Sequence, residues 1–463
     1  MNHFNIPSKK IYLFFFLSFS LLSVTNSKDY TESLEIFAKW NVTKFQINNE
    51  IMECKMCMPA GVKISSNGTT FVSFPRWFDN VTATFAKYNS TTNNFEPWPN
   101  LTMNQKYKDN DPSGLNSVLG FEIDDDDILY ILDQGKINNQ PAEINSIKLL
   151  RYYLSNGSFI DQYIFDSDIA DPYSSFFNDL VISQDKKYAY ISDSGKPIDE
   201  KEYEFKPGII ILDMVNKTSY KILTKNNSVF PDDSFWLHID NKPVNEQSPM
   251  RTGVDGIALS CNGETLFYCP LSGRMIYSIL TKDIHKAIHE NKFDNIKIYE
   301  GFKKEASDGL LASKKGNLYM TGIESGSIYI ANEVDQDLLR FNYNEFDKLN
   351  GSKMTMWPDT LAMHNGSLYF MSNQLNNFPN NIDYDNPKNG EYNFAILKFN
   401  VENDDSYIKG CSNFGDGWGV GSIIIWIFFA VIILIVLSFV LMGSNNQEEV
   451  IDKHMNLGVN KED

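Results

Sequence analysis

The sequence predicts an all-β fold: a six-bladed β-propeller ectodomain followed by one transmembrane α-helix. Three observations carry that expectation. A hairpin pattern recurs six times through the middle of the chain, long amphipathic helical periodicity is missing there, and an uncharged apolar run occupies 423–442.

Each copy of the pattern reads apolar, any residue, apolar, then usually polar. A tight polar turn and an aromatic-rich strand follow. The copies begin at Val62, Phe121, Leu180, Ile257, Leu310 and Leu361, spaced by 59, 59, 77, 53 and 51 residues. A period of roughly 40–60 residues with several short strands per unit suits a propeller blade. Two β-sandwiches are the alternative, but they would not need a matched hairpin in every unit. Asn67-Gly68, Asn262-Gly263 and Asn365-Gly366 stand at the turns, where Asn-Gly tolerates the positive φ of a two-residue hairpin. The long third interval holds Pro207, Pro231, Pro243 and Pro249, which predict surface loops. For ring closure, 40–45 is expected to supply a strand to the blade containing 394–399, which would remove exposed sheet edges.

The two ends set the expected topology. Residues 1–27 read as a signal peptide: Lys9 and Lys10 flank an apolar core at 11–24, and Thr25 and Ser27 fit the small positions of a cleavage site. An uncleaved anchor is the alternative, though that core is short for a span. The domain 28–410 is the expected propeller, 411–422 a juxtamembrane linker, 423–442 the transmembrane helix and 443–463 a cytoplasmic tail. Trp418 and Trp426 lie near the outer edge of the span, where indole favours the interface. A polar tail after the run argues against a lipid-anchor signal, which would end in the apolar stretch. The expected location is that of a single-pass type I membrane protein, in the plasma membrane or a secretory-pathway membrane. Sequons agree: Asn41, Asn67, Asn80, Asn89, Asn100, Asn156, Asn216, Asn226, Asn350 and Asn365 all fall between the two apolar segments.

Five cysteines, Cys54, Cys57, Cys261, Cys269 and Cys411, suit structural bridges in an oxidising compartment, with one left over. The Cys54-x-x-Cys57 spacing also fits a redox pair or half a zinc site, but no second pair or nearby His completes a metal site. A net charge of −18 argues against nucleic acid and permits attraction of cationic ligands. The run at 124–127 reads as a solvated acidic turn, and His285 and His289 as surface residues of a helical turn. No P-loop, nucleophile elbow or dinucleotide fingerprint is evident.

The repeat points to a site. In a propeller the first strand of each blade lines the channel, so residues just before it rim one mouth. Two positions before each first apolar residue stand Ala60, Leu119, Asn178, Asp255, Asp308 and Asp359. Asn178, Asp255, Asp308 and Asp359 belong to consecutive blades. Together they can hold Ca²⁺ through oxygen ligands, pair with an organic ammonium beside aromatic faces, or supply an acid or base of raised pKa. They can also simply shape the turn into each strand. Asp133, Asp193 and Asn373, at the ends of second strands, read first as turn formers.

The residues further resemble the major royal jelly protein/Yellow family over roughly 35–400. The resemblance rests on Phe74-Pro75-Arg76-Trp77 with Val81-Thr82-Ala83-Thr84, on Gly253-Val254-Asp255-Gly256-Ile257-Ala258-Leu259-Ser260, on Leu266-Phe267-Tyr268-Cys269-Pro270, on Trp357-Pro358-Asp359-Thr360-Leu361 and on Ser372-Asn373. It implies six blades. Members of this family are mostly secreted; some are linked to melanin formation, and some bind biogenic amines at the channel mouth. If that geometry carries over, Thr360 and Asn373 are the matching candidates. The expected function is binding of a small cationic ligand, amine or Ca²⁺. The alternatives are a dopachrome-converting tautomerase or metal-dependent lactonase, and an adhesion or scaffold protein.

Overall fold

The computed structural model describes residues 34–105, 114–199, 201–332, 338–341, 355–387, 390–401 and 404–411. The expected signal peptide, transmembrane helix and tail lie outside the described residues, as does Asn350. Among the described residues, no helix is long and apolar enough to cross a membrane. The chain divides into two compact units, Met1–Cys411 and Ser412–Asp463, and every described residue belongs to the first.

Six antiparallel sheets succeed one another along the chain, and each opens on one of the six sequence repeats. Blade 1 runs Val62–Ile64, Thr70–Ser73, Phe85–Asn89, Asn94–Pro97; blade 2 runs Val118–Ile123, Ile128–Asp133, Lys148–Tyr153, Ser158–Ile164. Blade 3 runs Phe177–Ile182, Tyr188–Asp193, Gly208–Asp213, Thr218–Ile222; blade 4 runs Val254–Leu259, Thr265–Pro270, Met275–Leu280, Ile298–Lys303. Blade 5 runs Leu310–Ala312, Asn317–Gly322, Ser327–Asn332, Leu338–Phe341. Blade 6 takes Trp357–His364, Ser367–Asn373 and Phe394–Asn400 from the end of the domain and Glu35–Trp40 from its beginning. The predicted six-bladed propeller is present.

Closure differs from expectation by a few residues. The strand that pairs with Phe394–Asn400 is Glu35–Trp40, with Trp40 opposite Phe394. The segment Thr43–Ile47 turns away instead and adds to the outer edge of blade 1, parallel to Asn94–Pro97, with Phe45 opposite Phe95. Phe45 is fully buried there against the rings of Phe74 and Phe95. The N-terminal strands thus belong to both the last blade and the first.

Both faces of a central blade are buried, so its strands read as nearly continuous apolar runs. Blade 3 shows the period of two directly. Leu180, Ile182, Ile191 and Ile210 pack towards Tyr130, Leu132 and Leu149 of blade 2, while Val181, Tyr190, Ile209 and Ile211 pack towards Leu259 and Leu266 of blade 4. The helix Thr281–Glu290 caps the outer part of blade 4. His285, on that helix, is not the surface residue expected. It stacks on Tyr188 at 4.4 Å between ring centres and shares a hydrogen bond with the Tyr190 hydroxyl at 3.0 Å, while His289 is exposed.

The turn chemistry is also more varied than the sequence suggests. Only Asn365-Gly366 places both residues at positive φ, +47° and +73°, as a two-residue hairpin between His364 and Ser367 requires. At the other two turns only Gly68 and Gly263 are left-handed, and the Asn side chains accept hydrogen bonds from the Ser65 and Ser260 hydroxyls instead. The 124–127 turn is held by Lys186, which pairs with Asp124, Asp125 and Asp126; Asp124 itself is buried and accepts the Tyr130 hydroxyl at 3.0 Å.

Two features fix the channel. The residue after the rim position is glycine in four blades, and in each the neighbouring blade's rim carbonyl fills the place of a side chain. A Cβ at Gly120 would meet the Asn178 carbonyl oxygen at 2.4 Å, and one at Gly309 the Asp359 carbonyl oxygen at 2.5 Å. First strands therefore approach backbone to backbone, which draws the rim residues together. At the far end, 404–411 forms a strap across the channel. Asp404 accepts the Ser313 hydroxyl (2.7 Å), the Asn317 amide (3.0 Å) and the Tyr319 hydroxyl (3.2 Å) from blade 5. Tyr407 and Ile408 are buried, the Ile182 N–H of blade 3 donates to the Tyr407 hydroxyl oxygen at 2.9 Å, and Cys411 is disulfide-bonded to Cys261 of blade 4. Cys54 pairs with Cys57, so Cys269, which is buried, is the thiol left over.

Candidate functional site at the channel mouth

The rim positions meet as the repeat predicts. Leu119, Asn178, Asp255, Asp308 and Asp359 all line one cavity of about 220 Å³ at the mouth opposite the strap. Trp77, Phe78, Phe176 and Phe378 wall it, and Lys196 and Arg251 stand at its edge. Ala60 is fully buried and does not reach the cavity.

Each carboxyl is held by the first or second strand of its own or the next blade. Asp308 accepts the Trp357 indole N–H at 2.6 Å, and Trp357 opens the first strand of blade 6 with no exposed surface. Asp359 accepts the Asn373 amide at 2.7 Å and the Thr360 hydroxyl at 3.3 Å. Asn373 also donates to the Pro59 carbonyl at 2.9 Å, which ties blade 6 to blade 1 beside the site. Asn178 donates to the Ser194 hydroxyl at 3.2 Å. Asp255 lies against Asp308, and its Oδ1 has no protein partner.

Burial is the main cause of raised proton affinity here. It lifts Asp255 and Asp359 well above the ordinary carboxyl range, helped in both by the Asp308 charge, and lifts Asp308 to about 6. Three carboxyls that are 1%, 8% and 5% exposed cannot all ionise without a cation among them.

Thr360 and Asn373 do not line the cavity. Both donate to Asp359 from beside it. Ca²⁺ gathers oxygens at 2.3–2.6 Å from one point, so its ligand atoms lie within about 5 Å of each other. Among the described residues, only Asp124, Asp125 and Asp126 bring three acidic oxygens within 4.8 Å of one another, and Lys186 already neutralises them. The three mouth carboxyls share a cavity without bringing one oxygen from each within 4.8 Å of one another.

The turn reading of Asp133, Asp193 and Asn373 holds. Asp133 accepts the N–H groups of Asn116, Ser117 and Gly135; Asp193 those of Phe176 and Gly195; Asn373 that of Leu375. Deeper in the channel Lys63 and Glu122 form a buried pair at 2.9 Å. Arg76, within the motif that carries the resemblance, is structural: it is 2% exposed and its guanidinium donates to the carbonyls of Leu115, Asn116 and Asn104. Sequence reasoning missed the aromatic wall, although Trp77 and the glycines after the rim positions stood in view.

A family profile described as "Major royal jelly protein" matches residues 116–407. Among curated proteins, the chain is 28% identical to major royal jelly protein 5 of Apis mellifera over 284 residues, 59% of this chain and 44% of that one. That match spans under half the length of the relative. It is 22% identical to the dopaminechrome tautomerase of Drosophila melanogaster over 403 residues, 80% of this chain and 82% of that one. Among solved structures, a putative gluconolactonase superposes at a TM-score of 0.44 and 10% identity over 80% of this chain and 91% of that one, a likeness too slight to carry an argument.

Proposed function

The chain belongs to the major royal jelly protein family, and from that premise we propose that its propeller binds a small organic amine at the open mouth. One observation supports this above the rest: three buried carboxyls and an amide face one aromatic-walled cavity. An ammonium ion offers three donors and one charge, and aromatic faces add cation–π attraction.

The pH dependence follows from the carboxyls. Asp308 titrates near pH 6, and a bound cation favours its ionised form. An aliphatic amine stays protonated across this range. Affinity for dopamine, read by calorimetry on the purified full-length chain, is therefore expected to rise roughly 10-fold between pH 5 and pH 7.5 and then level off. Affinity independent of pH would remove the carboxyls from the binding event.

A second reading has its own support. Asp255 lies against Asp308, and burial raises the proton affinity of both carboxyls. That is the pairing a proton-transfer isomerisation needs, and a tautomerase stands among the relatives.

The location is part of the proposal. A signal peptide at 1–27 and a helix at 423–442 would hold the propeller outside the cytoplasm as a type I membrane glycoprotein. The nine described sequon asparagines are all exposed or half-buried, and two disulfides suit an oxidising compartment. Glycosidase treatment of the protein from its native cells is expected to lower its apparent mass; no shift would sink the glycoprotein assignment.

A further inference from the structure

Blades 2 and 3 repeat a tetrapeptide at the close of their second strands. Asp133-Gln134-Gly135-Lys136 and Asp193-Ser194-Gly195-Lys196 each begin on the last residue of that strand. In both, the Asp carboxylate accepts the Gly N–H, at 2.9 and 3.0 Å, and the Gly is left-handed, with φ of +71° and +61°. The lysines that follow the two turns, Lys136 and Lys196, line one cavity of about 250 Å³.

The counter-charges around these lysines are engaged elsewhere. The carboxylates whose charge acts on Lys136 are those of Asp193 and Asp171. Asp193 pairs with Lys221 at 2.7 Å, and Asp171 accepts the Tyr173 N–H at 2.8 Å. Lys196 adds a like charge beside Lys136. Among the described residues neither lysine forms an ion pair.

Hydrogen-bonding capacity is left over as well. Lys136 is 6% exposed and donates to the carbonyls of Tyr173 (3.2 Å) and Lys196 (3.1 Å), which leaves one of its three N–H donors. The Lys196 ammonium lies over the Phe176 ring at 5.4 Å and, among the described residues, makes no hydrogen bond. The Trp77 indole N–H is buried without a partner. Gln134, 1% exposed, donates to the Ser117 hydroxyl at 3.3 Å, and its Oε1 has no partner. A hydroxyl can serve either end of an amide, so Gln134 can turn over and offer its NH₂ to the cavity. Four donor groups and two positive charges thus border one space, and Phe176, Pro197 and Ile198 give it apolar walls.

We propose that this cavity binds a small monocarboxylic acid, its carboxylate on Lys136, Lys196 and the Trp77 indole N–H and its apolar body against Phe176, Pro197 and Ile198. A carboxylate accepts several charge-assisted hydrogen bonds and brings the missing counter-charge. The volume lies just under the roughly 300–1,000 Å³ of a drug-sized site, which suits an acid with a single ring. Burial pushes the Lys136 ammonium down to about 8, a cost that a bound carboxylate offsets. None of the mouth aspartates is among the principal charges acting on Lys136, so the assignment does not depend on the amine reading.

Calorimetric titration of the purified full-length chain with benzoate, benzamide and inorganic phosphate tests it. Benzoate is expected to bind about 10-fold more tightly than benzamide, which keeps the ring and lacks the charge. It should also bind more tightly than phosphate, which has the charge and lacks the ring. Lys196→Gln, at an exposed position, is expected to weaken benzoate by about 10-fold and leave benzamide unchanged. Trp77→Phe, which keeps an aromatic wall, is expected to weaken benzoate by about 3- to 10-fold. Benzamide binding as tightly as benzoate, benzoate affinity that survives both substitutions, or no binding of benzoate at all would overturn the carboxylate site. Phosphate binding more tightly than benzoate would overturn the monocarboxylic acid in favour of an inorganic oxyanion. Each of these outcomes leaves the amine reading, whose probe is dopamine, where it stands.

Discussion

Lys148→Met is expected to lower folding stability by about 3–5 kcal/mol, read as a fall in the urea midpoint. Lys148 and Asp133 pair at 3.0 Å with no exposed side-chain surface on either. Removing the ammonium leaves a carboxylate with no route to water. Asp133→Ala is expected to cost at least as much, because the N–H groups of Asn116, Ser117 and Gly135 then lose their acceptor as well. The exposed pair Lys44–Glu53, at 3.0 Å, is the control: Lys44→Met should change stability by under about 1 kcal/mol. Equal effects at the two lysines would mean that burial does not set the value of the pair.

Asp255→Asn is expected to act in opposite directions on binding and stability. Amine affinity should fall roughly 30- to 700-fold, the equivalent of about 2–4 kcal/mol for removing one charge from a buried pair. Turnover of dopaminechrome, if the second reading holds, should vanish with it. Stability at pH 7.5 should rise, by about 1–3 kcal/mol. The sign follows from the raised carboxyl pKa values. Between the unfolded pKa near 4 and the higher folded one, the folded chain keeps a proton that the unfolded chain releases, so stability falls as pH rises through that window. Asparagine removes the charge and can still donate to Asp308. At pH 4, where the native carboxyls are protonated, variant and parent should unfold together. A variant less stable at pH 7.5 would contradict the idea that the trio is held ready for a cation at the expense of the fold.

Much of the fold was legible in the sequence because it repeats. The hairpin period gave six blades, and a fixed offset from it picked out Asn178, Asp255, Asp308 and Asp359, which the fold does bring to one cavity. What escaped was long-range or lay in the loops. Whether 35–40 or 43–47 closes the ring depends on pairing with strands far along the chain, and local pattern does not encode that. Thr360 and Asn373 sit beside the site in sequence, but their hydrogen bonds to Asp359 depend on how two strands of blade 6 pair. Lys136 and Lys196 line one cavity after two left-handed glycines, Gly135 and Gly195, in loops of different blades. The Asp-x-Gly-Lys repeat was visible, but nothing in one dimension says where such a turn aims.

The strap has a kinetic consequence. With Tyr407 and Ile408 seated in the far end, and Asp404 and the Cys261–Cys411 bond holding them there, the propeller is a well rather than a tunnel. A guest must leave by the way it came, past Trp77, Phe176 and Phe378. If the proposed amine binds there, the aromatic collar at the entrance sets its residence time. Changes to the collar should then alter arrival and departure rates as well as the cation–π share of affinity.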